Sequence, residues 1–507
     1  MTSSQLLPLA ALASSLIPGA IIFALPEERR GVRTALNLGG AVAKLALVAI
    51  MLIGVDAGAS YGFRHEILPG IELAFEMDAL ALLFVTLSAT LWLLTTLYAV
   101  AYLEGSPHRS RFFGFFSLCV TATAGLAMAA NLFTFFVFYE VLTLTTYPLV
   151  AHRGTPEAMR AAAVYLGYTL GGGALTLTGI IWLRSVAGPV EFTTGGALGA
   201  LGPEAAPQLR IAFALLVAGI GVKAALVPLH GWLPRAMVAP APVSALLHAV
   251  AVVKAGAFGL VRVVYEVYGV ERAQALGVLM PLAVLAAVTI LWGSIRALTQ
   301  EELKPRLAFS TVSQVSYIAL GISIFGPVGT VGGLVHLVHQ GVMKITLFFC
   351  AGNYAEALGV HRIDGLDGVG RRMPLTTAAF SIGAFGMMGA PLTAGAVSKD
   401  WLSRGATDAE MAWVGPVLLA SSLLNAAYFL PILWRAWFRS PPPAWPDEHL
   451  PRRGWREIPL LFLLPPVLTA LATVATGVFA DLPASPLFWA KLIARREYLD
   501  LDLDLDL

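Results

Sequence analysis

The sequence predicts an all-α polytopic membrane protein with about 14 transmembrane helices. Two observations carry this. Of 507 residues, 57% are hydrophobic and only 13% are charged, with a mean hydropathy of +0.76, whereas soluble chains are roughly 45–50% apolar and about 25% charged. The apolar residues also fall into runs of about 20, the length at which a helix crosses a bilayer; barrel strands would be about 10 residues long. This composition excludes an ordinary soluble enzyme and a disordered chain. A net charge of +2 leaves no basic footprint for nucleic acid. Cys119 and Cys350 both lie in apolar runs, so neither a disulfide framework nor a cysteine metal cluster is implied.

The predicted spans run roughly 5–25, 35–54, 79–103, 112–129, 131–150, 160–183, 209–229, 242–264, 273–295, 304–325, 328–354, 375–399, 413–436 and 457–479. No Lys or Arg precedes the first run, so it reads as a span and not as a signal peptide. Of the 33 basic residues, 19 fall in or beside loops after odd-numbered spans and 9 beside even-numbered ones or in the tail. That bias places the odd loops in the cytoplasm and both termini outside; the expected location is a bacterial inner membrane. After the last span, Leu487, Phe488, Trp489, Leu492 and Ile493 alternate with Lys491, Arg495 and Arg496. The pattern suits a short interfacial helix, followed by an acidic Leu-Asp tail.

Charges inside the spans locate the chemistry. Five of the seven lysines lie there: Lys44, Lys223, Lys254, Lys344 and Lys399. Lysine can give up its proton when buried, whereas arginine stays charged. A mid-bilayer charge costs from roughly 3 to more than 10 kcal/mol, so intramembrane ionisable groups mark functional sites. Lys44 has no polar neighbour along its own span and reads as a structural or snorkelling lysine. One acid, Glu140, stands mid-span, with Thr143 and Tyr147 on the same helical face. Lys223, at similar depth in a span of opposite polarity, is its expected partner.

Around Lys223 the chain cannot form one straight helix. Pro228, Pro234, Pro240 and Pro242 fall within 15 residues, together with His230 and His248. Broken backbone at membrane depth is tolerated where protein or a water-filled cavity surrounds it. Span 12 repeats the pattern with Gly389, Pro391 and Gly395 ahead of Lys399. Paired interrupted helices are a signature of inverted repeats in transporters. The offset of five helices between the two breaks predicts repeats over spans 4–8 and 9–13. The corresponding segments are 1–110 for the first three spans, 111–264 and 272–439 for the repeats, 440–479 for span 14 and 480–507 for the interfacial helix and tail.

Two polar stripes accompany the breaks. Ser310, Ser313, Gln314 and Tyr317 share a face of span 10, and His336, His339 and Lys344 share a face of span 11. The two histidines lack a third ligand at metal spacing, so a proton relay is expected and no metal. Nucleotide, flavin and haem attachment motifs are absent, so no cofactor is expected.

These residues carry a resemblance. Glu140, the run Lys223-AALVPLHGWLPRAMVAPAPVSALLHA-Val250, Lys254-Ala-Gly256, Glu302-LKPRLAFSTVSQVSY-Ile318, His339-QGVMKITLFFCAG-Asn353 and the stretch from Gly389 to Lys399 resemble the antiporter-like subunits shared by Mrp-type cation/proton antiporters and respiratory complex I. The resemblance implies 14 helices and two inverted five-helix repeats. It also implies a proton route through Glu140, Lys223, Lys254, Lys344 and Lys399, with no catalytic or redox site in the chain. Lysine at 399 resembles the D-type member of Mrp antiporters in particular. The sequence departs from the pattern where Pro391-LTA-Gly395 lacks a second proline, and where Glu302 replaces a common aspartate. The implied function is proton translocation within an Mrp-like antiporter, with any Na⁺ or K⁺ path in partner membrane subunits. The alternative is a proton-pumping subunit of a complex I or membrane-bound hydrogenase type complex.

Overall fold

The computed structural model describes residues 3–103, 105–448 and 457–498. The acidic tail expected beyond residue 498 lies outside the described residues.

The N-terminal helices are α1 (Ser3–Phe23), α2 (Arg30–Asp56), α3 (Ala79–Tyr102) and α4 (Arg109–Ala127). Next come α5 (Leu132–Val150), α6 (Pro156–Ala187) and α7 (Ala206–Lys223). Short elements α8 (Trp232–Arg235), α9 (Ala241–Ala249), α10 (Val252–Arg262) and α11 (Val270–Ala275) lead into α12 (Leu279–Leu298). The remainder is α13 (Leu303–Ser323), α14 (Pro327–Leu358), α15 (Val369–Arg372), α16 (Pro374–Met388), α17 (Ala394–Asp408), α18 (Val414–Phe438), α19 (Leu460–Val478) and α20 (Pro486–Glu497).

Among the described residues, 12 helices or helix pairs are long and apolar enough to cross a membrane. The expected tenth span is present as α13, but its polar stripe keeps it outside that group. The expected twelfth is split into α16 and α17. The boundary between spans 4 and 5 falls at Asn131, whose side chain caps α5 by accepting from the Thr134 amide at 2.7 Å. The 32-residue α14 is the axis of the molecule, with its apolar stretch wholly buried.

Three local features depart from the sequence expectation. A β-hairpin pairs Gly62–Leu68 with Ile71–Glu76, so the chain is not purely helical. It is anchored on the α4–α5 junction, where the Ala74 amide donates to Thr134 Oγ1 at 2.9 Å. Its first strand is short and largely exposed, so it carries little burial pattern to read. The predicted eighth span is interrupted at Val250–Ala251 between α9 and α10, directly before Lys254. Close backbone approach accompanies this break: a Cβ at Gly256 would stand 2.2 Å from the Ala224 amide.

The third departure is α20. Its apolar face lies on protein, with Leu487, Trp489, Ile493 and Ala494 buried. The Trp489 indole donates to Ala79 O at 2.7 Å, and the Tyr498 hydroxyl meets Thr330 at 3.0 Å. At its end, Glu497 accepts from the Gly195 amide at 3.1 Å. Burial pushes the Glu497 carboxyl up from 4.5 to about 7. A carboxyl with a raised folded-state pKa binds its proton more tightly when docked. Its contribution is complete below the unfolded value and is lost as pH rises through about 7. Docking of α20 is therefore expected to weaken by up to about 3 kcal/mol from pH 4.5 to 8. Hydrogen exchange of the α20 amides, corrected for intrinsic rates, checks this; Glu497→Gln should flatten the dependence.

Candidate functional site

The helix breaks bring the buried lysines to polar partners. Lys223 is the last residue of α7, fully buried. Beyond it the chain turns through Ala224–Gly231, which contains Pro228, before α8. The break leaves backbone groups without helical partners, and side chains take them up. Trp232 Nε1 donates to Val222 O at 2.8 Å, and the Val227 amide donates to Thr289 Oγ1 at 3.1 Å.

The expected direct ion pair between Glu140 and Lys223 is not formed. The Lys223 ammonium donates instead to the carbonyl of Tyr139 and lies 3.1 Å from the centroid of that ring. Successive residues on a helix point about 100° apart, so Tyr139 faces α7 while Glu140 turns to α6. There a Cβ on Gly173 would stand 2.3 Å from Glu140 Oε1. Glu140 Oε1 is buried without a hydrogen-bond partner. The two charges interact at a distance, without touching. Thr143 donates to the same Tyr139 carbonyl at 3.3 Å, and Tyr147 is half-buried one turn further on.

Gly173 is thus the packing complement of Glu140. Gly173→Ala is expected to displace the carboxylate from α6 and to slow proton transport several-fold with the fold intact. Proton flux into vesicles, beside a thermal melt, checks this.

Lys254 projects from α10 just after the second break and donates to Leu337 O of α14 at 2.6 Å. His248 is buried on α9 and stacks on Phe348 at 4.4 Å, with both ring nitrogens unpaired. His336 and His339 are fully buried on α14. His336 Nδ1 lies 2.8 Å from Ser398 Oγ, and its ring stacks on Tyr317 at 5.0 Å. His230 lies elsewhere. It is partly exposed, accepts from Trp292 Nε1 at 3.3 Å and faces Phe309. The proline-rich turn swings it to the α12 side, so it does not join the buried groups.

The C-terminal lysines are joined by a hydrogen-bonded chain. Lys344 Nζ donates to Ser310 Oγ at 2.7 Å, and the Tyr428 hydroxyl lies 3.0 Å from the same oxygen. Tyr428 also bonds to Asn425 Oδ1, and Asn425 Nδ2 donates to Met387 O at 3.1 Å. Lys399 Nζ shares that Met387 carbonyl, and also bonds Met388 O and Ser422 Oγ, each at 3.0 Å. The interruption of helix between α16 and α17 makes this possible. Gly389 takes a left-handed φ of +88°, and Pro391 lies in the turn that follows. The carbonyls of Met387 and Met388 at the end of α16 are thereby available to Lys399. Ser313 reaches Ser294 at 2.8 Å, beside the chain, and Gln314 is buried nearby on α13.

Sequence reasoning missed Ser422, Asn425 and Tyr428. Their spacing of three residues in an otherwise apolar helix is the signal that marked the stripe on span 10. It also missed the buried cluster in which Arg262 bonds Asp78 at 2.6 Å and Glu266, because these charges stand near span ends. Lys304, half-buried and donating to Ala239 O at 2.6 Å, was hidden by the same edge position. Among the described residues, no group of three His, Cys, Asp or Glu is placed to hold a metal.

A buried ammonium bonded to carbonyl and hydroxyl oxygens can lose and regain a proton without moving far. Hydroxyls between such groups can donate and accept in turn. The site is chemically suited to passing protons between titratable groups.

A sequence profile described as NADH:quinone oxidoreductase/Mrp antiporter, TM matches residues 129–425, more than half of the chain. The chain belongs to this family. A second profile, for the N-terminus of complex I chain 5, matches residues 69–113 of this family member. NADH-quinone oxidoreductase subunit N of Desulforudis audaxviator is 35% identical over 81% of the chain and 83% of its own length. A probable K⁺/H⁺ antiporter A/B subunit of Rhizobium meliloti is 29% identical over 95% of the chain, which spans 47% of that relative. In fold, the chain matches one from the Mrp complex of a Dietzia species with a TM-score of 0.85, at 24% identity over 98% of both chains. It matches a chain of an archaeal membrane-bound sulfane sulfur reductase equally, with a TM-score of 0.85 at 22% identity over 97% of both. The relatives thus include both antiporter and redox-complex subunits, and the protein is an integral membrane protein of this family.

Proposed function

We propose that the chain is the proton-translocating membrane subunit of an Mrp-like monovalent cation/proton antiporter complex. The observation that carries the reading is the hydrogen-bonded chain from Lys344 through Ser310, Tyr428 and Asn425 to the carbonyl that Lys399 shares. Lys223 receives a proton from one face, with Glu140 setting its affinity. Lys254, the histidines of α14 and Lys344 pass it on, and Lys399 releases it towards the other face. Unpaired buried polar groups, such as His248 and the amide of Gln340, each cost about 1–3 kcal/mol unless something meets them; water along the route would do so. The driving force is about 2.3 kcal/mol per charge per 100 mV.

The two helix breaks, after Lys223 and before Lys399, fit inverted repeats over the fourth to eighth and ninth to thirteenth spans. The bias of basic residues between loops fits an inner-membrane protein with both termini outside. Several lysines along the route disfavour a metal cation, so the Na⁺ or K⁺ path belongs to a partner protein.

The 35% identical relative named as a subunit of NADH-quinone oxidoreductase favours a second reading, a proton-pumping subunit of a redox complex. Purifying the tagged chain with its companions separates the two. In proteoliposomes, proton movement driven by a Na⁺ or K⁺ gradient supports the antiporter. Proton movement only on addition of quinone and reductant, with redox subunits co-purifying, overturns it in favour of the second.

A further inference from the structure

Lys44 is outside the route and is buried among α1 to α4, with only 1% of its surface exposed. It has no polar neighbour along its own helix, because its partners come from other helices. Its ammonium donates to Ser15 Oγ of α1 at 2.8 Å and lies 5.5 Å from the Trp92 ring of α3. Ser15 in turn meets Thr121 Oγ1 of α4 at 2.7 Å.

From there, buried polar groups continue along the bundle. Thr121 donates to Ser117 O at 3.0 Å, and Ser117 Oγ donates to Asn37 Oδ1 at 3.1 Å. Asn37 Nδ2 donates to Arg33 O at 3.1 Å, and Arg33 reaches Ser110 Oγ at 2.5 Å. The Ser110 amide donates to Glu27 Oε1 at 3.0 Å, and the Glu27 side chain is 39% exposed. A polar file thus joins the buried amine to the surface at the α1–α2 turn.

Among the described residues, no counter-charge explains the lysine. Within the described residues α1 carries no charged side chain. Besides Lys44, α2 carries Arg30, Arg33 and Asp56 near its ends; α3 offers only Tyr98 and Tyr102; α4 offers Arg109, Arg111 and Cys119. None interacts electrostatically with Lys44 to a degree that offsets its burial. On α3, Ser88 Oγ, Trp92 Nε1 and Thr96 Oγ1 recur every four residues and are buried without hydrogen-bond partners. A purely structural lysine would be better served by a carboxylate or by replacement with an apolar side chain.

We infer that Lys44 is a second proton-exchanging site, reached from the Glu27–Ser110 end of the bundle through Asn37, Ser117, Thr121 and Ser15, and separate from the Glu140-to-Lys399 route. One proton moves per event. Ser15 Oγ gives its proton to a neutral Lys44 amine and takes one from Thr121, which turns from the Ser117 carbonyl and takes one in its place from a hydronium ion that enters from the Glu27 end and leaves as water; the reverse order releases it. Occupation of the site changes the charge among α1–α4 by one unit.

The test uses the assembled complex in lipid, with ε-¹³C-lysine in this chain alone. With seven lysines in the sequence, the Lys44 resonance is identified as the one lost in Lys44→Arg. On transfer to D₂O, the deuterium isotope shift reports exchange at Nζ. Lys44 is expected to exchange at least ~100-fold faster than the α2 amides around it, and Thr121→Val to slow it at least ~10-fold. Exchange no faster than those amides, or unchanged by Thr121→Val, overturns the inference. Lys223→Ala should leave the Lys44 rate as it is; a parallel loss would make Lys44 part of the main route and overturn its separateness. The readout needs no net transport, so it stands or falls apart from the proposed function. If Lys44→Arg fails to assemble, ¹⁵N-edited assignment through Ser15→Ala identifies the same resonance.

Discussion

Glu140→Gln and Lys223→Ala are each expected to abolish proton transport while the complex still assembles. Lys223 is fully buried, and among the described residues the one carboxylate that interacts with it is Glu140. Removing the negative charge takes away what sets the proton affinity of the amine. Removing the amine takes away the carrier. The two act as one unit, so the double mutant should be little worse than either single one, as coupled neighbours are non-additive. Assembly should survive because Glu140→Gln is nearly isosteric, and because the Lys223 contacts are to a carbonyl and a ring face of α5. Proton flux in vesicles, with subunit content measured on the same preparation, decides it. A normal rate in assembled Glu140→Gln would remove Glu140 from the route.

Lys399 carries the second large effect. Its ammonium is held by two carbonyls at the end of α16 and by Ser422, each at 3.0 Å. A structural cation would be replaced tolerably by arginine, which keeps the charge and has more donors. A proton carrier would not, since arginine does not release its proton in any useful range. Lys399→Arg is therefore expected to fail nearly as badly as Lys399→Ala, a loss of at least ~100-fold on the scale of removing a positioned proton-transfer group. Full rates in Lys399→Arg would make the residue a structural cation.

Much of this arrangement was legible in the sequence. Apolar runs marked the helices because a bilayer tolerates little else. The prolines after residue 223 and the glycines around Pro391 marked breaks that the structure contains. The buried lysines stood out because the membrane makes each one costly. The relations between helices were not legible. Periodicity places Glu140, Thr143 and Tyr147 on one face, but not which neighbour that face meets. Thus the carboxylate goes to Gly173 on α6 while the Tyr139 backbone takes Lys223. His230 stands close in sequence to the buried set, and a turn carries it to Trp292. The break before Lys254 has no proline at the point of interruption, and so no local signal. Lys44 stood isolated because Ser15 and Thr121 lie 29 residues before it and 77 after it.

The central claim is that protons pass between Lys344 and Lys399 along the polar path of α13 and α18, with water carrying them across the last step, where the Met387 carbonyl accepts from both Asn425 and Lys399. The Tyr428 hydroxyl is the atom that joins Ser310 to Asn425, and it can be removed without changing the ring that packs on Phe429 at 4.7 Å. The most direct measurement is potential-driven proton uptake into vesicles containing the assembled Tyr428→Phe complex, at matched subunit content. A fall of at least ~10-fold, with an unchanged melting temperature, is the expected result for a broken relay. A wild-type rate would contradict the account, because protons would then be passing between the two lysines without the link that joins them.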